Sequence, residues 1–178
     1  EEQKDAITQL KIEQTGDSAS ALNGDDWRDF RTQYVERAGS VDLESLRPYL
    51  KFESVIEGLL ATYGRVFGLS IEDITESAPY TWAPEVDVLL VRDRASGEKL
   101  GLIYTDFVQR ESIGKGTGGS NYSVIPQRVS PDGERVLPTS VVTCDVPEDH
   151  AAGLLLANLN CIFHEFGHAL HDLSLIHI

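Results

Sequence analysis

His164, Glu165 and His168 are the residues of this 178-residue chain whose types and spacing most directly suggest chemistry. They stand in the run Cys161-Ile162-Phe163-His164-Glu165-Phe166-Gly167-His168-Ala169-Leu170-His171. On a helix, positions i and i+4 share a face, so two imidazoles so spaced can reach one metal ion at about 2.0–2.1 Å. Glu165 follows the first imidazole and is turned away from direct coordination. It can take a proton from a water activated by the metal and later deliver it to a leaving amine. His-Glu-x-x-His is the zinc-hydrolase signature, and three fixed positions coincide by chance in a chain of this length roughly once in a few hundred. The competing reading is a helix with two incidental histidines and a solvated Glu. Against it, the surrounding run is strongly apolar, and these side chains are costly to bury there without a partner. Gly167 costs roughly 1 kcal/mol of helix propensity, which predicts a close approach at that point.

Two imidazoles do not complete a catalytic zinc site, which usually takes three protein ligands. His171 lies about 10 Å of helical rise beyond His164, and Asp172 farther still, so neither converges on the same ion. No Glu follows Glu165 in the chain, so the third ligand must come from another element; upstream Glu111 and Asp106 stay open as candidates. His171 reads as a packing residue or a support for a ligand. Cys161, one turn before His164, reads as a core cysteine rather than a ligand.

The elements that must position this run follow from periodicity. Asn23-Gly24-Asp25-Asp26 is a turn and cap signal ahead of a helix over 27–38, with Trp27, Phe30, Tyr34 and Val35 as its core face. Phe52, Val55, Ile56, Leu59, Leu60, Tyr63, Val66 and Phe67 predict an amphipathic helix over 51–67, with Gly68 at its C-terminal cap. After Pro84 the period changes. Strands are expected over 86–91 and 100–105, joined as a hairpin through Ser96-Gly97, and over 122–129 and 139–146 around the turn Pro131-Asp132-Gly133. The glycines of 114–119 predict a flexible loop without the order of a phosphate-binding motif. Pro147-Glu148-Asp149 predicts the first turn of a long helix running to Asp172. Helices, a small sheet, then a helix make an α+β chain.

Composition narrows the function. Lys+Arg 15 against Asp+Glu 29 gives a net charge of −14, which argues against nucleic-acid binding, a role that needs a basic patch. No apolar run approaches the ~20 residues of a membrane span. Cys144 and Cys161 are too few for a disulfide scaffold and are expected to be free thiols in a reducing compartment. A soluble, acidic, intracellular enzyme or binding domain is the expectation. Residues 1–22 are expected to be flexible or a frayed helix, residues 23–172 to be part of a catalytic domain, and 173–178 to be a non-native tail. Leu173-Ser174-Leu175-Ile176-His177-Ile178 is what a sequencing adapter encodes when read through in frame.

Phe163 through His171 resembles the core motif of the thimet-oligopeptidase family of zinc metallopeptidases at every position. Arg47-Pro48-Tyr49-Leu50, Val55-Ile56-Glu57-Gly58-Leu59 and Phe67-Gly68-Leu69 match the family in the same order. Gly101 through Arg110, Asp132-Gly133, Leu137-Pro138-Thr139 and Cys144-Asp145 are similar to its mitochondrial intermediate peptidase branch, while Phe166 and Leu170 also suit the oligopeptidase branches. The resemblance implies a zincin-like, mostly helical metallopeptidase with a deep channel and a small β-sheet preceding the motif helix. It carries over His164 and His168 as Zn²⁺ ligands and Glu165 as general base. It places the third ligand, a Glu, on a helix beyond the end of this chain, so the fragment itself is expected to be inactive. The substrates it implies are short peptides or presequences, cleaved by a monomer in the mitochondrial matrix or cytoplasm; no substrate-binding residue is assigned. A metal-free helical module that binds peptides without cutting them is the alternative from another class.

Overall fold

The computed structural model describes residues 2–16, 22–39, 43–78, 80–110 and 118–173. The chain divides into two compact units, residues 1–46 and 47–178.

In the first unit, α1 (Glu2–Thr15) packs against α2 (Gly24–Ala38). The segment expected to be flexible or frayed is thus helical over most of its described length. Its sparse apolar residues explain why: Ile7 and Leu10 are buried against Phe30, with Trp27 and Tyr34 alongside. Val35, expected in the core, is 38% exposed instead. Asn23 caps α2, its Oδ1 accepting the Asp26 N–H at 2.8 Å, while Asp26 Oδ2 accepts Lys11 Nζ at 2.7 Å. The Lys11 ammonium, and then the Asn23 backbone N–H, hold the Asp26 carboxyl below the usual carboxylate range. A depressed folded-state pKa adds stability above the unfolded value of about 3.9 and loses it as pH falls through the folded value. Hydrogen-exchange protection in α1 and α2 is therefore expected to hold steady from about pH 7 to 5 and to decline below about pH 4. Asp26→Asn should flatten that decline; an unchanged acid profile in the variant would contradict the assignment.

In the second unit, a 3-10 turn over Leu43–Tyr49 that crosses the boundary leads to α3 (Phe52–Val66). Gly68 takes φ +66° just past it, where a side chain would be strained, and ends the helix as expected. β1 (Leu69–Asp73) follows at once, a strand too short to stand out by period. β2 (Asp87–Asp93) and β3 (Lys99–Val108) form the expected hairpin, whose turn is tied by Asp93 Oδ1 accepting from Ser96 N and Oγ. β4 (Ser120–Ile125) stops at Pro126, which has no N–H for a ladder, so the strand expected over 122–129 is broken there. Beyond it, β5 (Arg128–Val129) and β6 (Arg135–Val136) pair around the predicted turn. β7 (Thr139–Val146) then enters the sheet beside β3, parallel to it, giving the order β1-β2-β3-β7-β4.

The last helix, α4 (Leu156–Asp172), begins nine residues later than Pro147 suggests. Residues 147–155 are held in a loop by tertiary contacts that outweigh the local cap signal. Gly153, at φ +96°, lies so close to the chain before α3 that a Cβ would sit 1.8 Å from the Arg47 carbonyl oxygen. Arg47 Nε donates to the Gly153 carbonyl at 3.2 Å, and the Leu154 N–H donates to the Leu50 carbonyl at 2.8 Å. The chain is α+β, and α4 packs on β7 and β4.

Candidate metal centre

The sequence of α4 divides it into two faces. Ile162, Phe166, Ala169 and Leu170 are each at most 1% exposed and enter the core with Leu59, Leu154 and Leu173. Leu173, the first residue of the run expected to be a tail, is buried against Gly101; residues 174–178 lie outside the described residues. His164, His168 and His171 stand on the exposed side. His171 is therefore not a core packing residue; it sits in the last turn, where a basic group suits the negative end of the helix.

His164 and His168 come together. Their Nε2 atoms are 3.0 Å apart and their rings meet nearly edge to face, with centroids 4.6 Å apart at 82°. Two imidazole nitrogens on a tetrahedral zinc at 2.0–2.1 Å stand about 3.3 Å apart. The pair thus fits two corners of such a site with little adjustment. Among the described residues, no group of three His, Cys, Asp or Glu side chains could hold a metal. Asp106, one open candidate for the third ligand, is 3% exposed and already committed. It accepts two bonds from Arg110, at 2.6 and 2.9 Å, and one from Trp82 Nε1 at 2.9 Å. Glu111, the other, lies outside the described residues, as does most of the glycine loop at 114–119.

The loop's last two glycines are described, and both have reasons. Gly118 takes φ +108° and donates its N–H to Asp145 Oδ2 at 2.9 Å. Gly119 lies against α4: a Cβ there would stand 2.5 Å from both Glu165 Cγ and Cys161 Sγ. Any other residue at 119 would crowd both side chains, so glycine leaves room there for Cys161 and Glu165.

Four further contacts fix the helix. Tyr63 on α3 donates its hydroxyl to the Phe163 carbonyl at 2.8 Å, and its ring lies 5.5 Å from that of Phe166. A Cβ on Gly167 would come 3.2 Å from the same hydroxyl, which is the close approach predicted from a glycine inside the motif. At the far end, Asp172 Oδ2 accepts from Asn121 Nδ2 at 2.7 Å and from Ser140 Oγ at 3.0 Å, tying α4 to β4 and β7. Sequence reasoning did not single out Tyr63, Gly119 or Asp172 for these roles. Gly167 signalled that a partner exists without naming Tyr63, which the helical stripe of α3 presents as one more core residue.

A sheet-backed helix thus turns its paired imidazoles outward, with the Glu165 side chain between the helix and the chain at Gly119. The family model described as Peptidase family M3 matches residues 2–174, and the chain belongs to that family. It is 27% identical over 171 residues to the mitochondrial intermediate peptidase of Arabidopsis thaliana, covering 94% of this chain and 24% of that protein. It is 30% identical to the thimet-like oligopeptidase of Dictyostelium discoideum, over 75% of this chain and 20% of that one. With saccharolysin of Saccharomyces cerevisiae the identity is 28%, over 83% and 22%. The chain thus spans about a fifth to a quarter of the length of these relatives. The family match takes in residues 2–22 as well as the motif helix. No helix among the described residues is long and apolar enough to cross a membrane.

Proposed function

We propose that the whole protein is a zinc-dependent metalloendopeptidase of zincin-like fold, hydrolysing short peptides or presequences, and that these 178 residues contribute two metal ligands and the base. The observation that carries the reading is the convergence of His164 and His168 at 3.0 Å on the helix of a family M3 chain. A zinc ion held there would supply Lewis acidity, drawing the pKa of a coordinated water towards ~7 and polarising the scissile carbonyl. Glu165 takes the proton of the attacking water and returns it to the leaving amine; the glycine at 119 leaves room for its side chain. A third ligand is still needed, since no third His, Cys, Asp or Glu joins the pair among the described residues. Among the described residues β4 ends the strand order of the sheet, and the chain entering it lies against Glu165, which supports an extended peptide lying along β4 by strand addition. Its place would be the mitochondrial matrix or the cytoplasm, and relatives named as mitochondrial peptidases support the first of these.

The test is metal removal from the full-length protein. A zinc chelator should abolish cleavage of short peptides, and added Zn²⁺ should restore it. Cleavage that persists after the metal is removed would overturn the reading. A protein that binds peptides but leaves them uncut, with or without Zn²⁺, would favour the metal-free module instead.

A further inference from the structure

Two thiols that the metal chemistry does not use face each other across the interface between sheet and motif helix. Cys144 on β7 is 1% exposed, Cys161 on α4 is partly exposed, and their Sγ atoms are 2.9 Å apart. That separation is about 1 Å longer than a disulfide bond. They are the only cysteines in the 178 residues, and the structure holds both as free thiols. Read separately in the sequence they are a strand residue and a core helix residue; the fold makes them a pair.

We propose that Cys144 and Cys161 form a reversible oxidation site, a dithiol that a small-molecule disulfide such as glutathione disulfide converts to an intramolecular disulfide, stapling α4 to β7 one turn before His164. Cys161, the more accessible thiol, attacks one sulfur of the glutathione disulfide. A bond forms between Cys161 and that glutathione, the original S–S bond breaks, and one glutathione leaves as a thiolate. Cys144 then attacks Cys161 Sγ, the mixed disulfide breaks, and the second glutathione leaves. The protein gives up two electrons, glutathione disulfide is reduced, and the two cysteine protons end on two glutathione thiols. Burial pushes both cysteine pKa values up, with the Asp145 and Glu165 carboxylates adding to the shift. Such thiols react slowly with a reagent from solution. The second exchange needs no encounter, because the resolving thiol already lies against its target. The staple would bridge the loop at 147–155 and fix the first turns of α4, leaving the His164–His168 face untouched.

The experiment uses the zinc-loaded full-length protein, incubated with glutathione disulfide, alkylated, digested and mapped by mass spectrometry. The expected product joins the Cys144 and Cys161 peptides, reverts with dithiothreitol and leaves no glutathione on Cys161. Cys144→Ser should trap glutathione on Cys161, and Cys161→Ser should leave Cys144 unmodified. Hydrogen exchange over residues 156–163 should slow at least about tenfold in the oxidised wild type and stay unchanged in Cys144→Ser. Recovery of both cysteines fully alkylated after the oxidant would overturn the proposal. So would a wild-type protein that accumulates glutathione on Cys161, or a joined pair without slower exchange in α4. The wild-type mapping decides the matter even if a variant fails to fold.

Discussion

Glu165→Gln in the full-length protein is expected to lower kcat/KM for short peptides by about 10²–10⁴-fold, the range a positioned general base contributes, with zinc content unchanged. The amide keeps the size and much of the hydrogen bonding of the carboxylate but cannot take a proton from water. Zinc should stay because Glu165 is not among the converging ligands: His164 and His168 meet at Nε2, while the Glu165 side chain runs beside Gly119. Steady-state kinetics and metal analysis on the same preparation separate the two effects. Activity within tenfold of wild type would remove Glu165 from the chemistry, and loss of zinc would make it a ligand rather than a base.

Phe166→Ala should be the most destabilising single change on α4. Phe166 lies two residues from each histidine, is 0% exposed, and its ring lies 5.5 Å from that of Tyr63. Truncating a buried Phe typically costs about 3–5 kcal/mol, part transfer and part cavity. Here the cavity would open beneath the turn that sets the angle between the two imidazoles. The expected result is a lower denaturation midpoint together with weaker zinc retention. Leu155, 39% exposed at the start of the same helix, provides the comparison, since Leu155→Ala should cost well under half as much. Equal losses from the two variants would contradict the account of how α4 is seated.

The parts of this molecule legible in the sequence are those set by neighbours along the chain. Gly68 marks the end of α3, Ser96-Gly97 the turn of the β2–β3 hairpin, and the i, i+4 spacing brings His164 to His168. The misplaced features depend on residues far away. Pro147-Glu148-Asp149 carries the local chemistry of a helix start, yet α4 waits until Leu156 because the Arg47 side chain and the Leu50 carbonyl hold residues 153 and 154 in a loop. Ile7 and Leu10 look too sparse for a packed helix until α2 supplies Phe30. The neighbours that shape the candidate site, Tyr63 and Gly119, come from elements 100 and 46 positions before the groups they touch, Phe163 and Glu165. No spacing rule reaches that far.

The central claim is that His164 and His168 hold a metal ion, and metal analysis of the full-length protein with His164→Ala and His168→Ala tests it most directly. The account predicts one zinc per chain in the wild type and a fall of at least about tenfold in zinc content in each variant at the same free zinc, since catalytic sites rest on three protein ligands. Zinc content that does not respond to either substitution would contradict it.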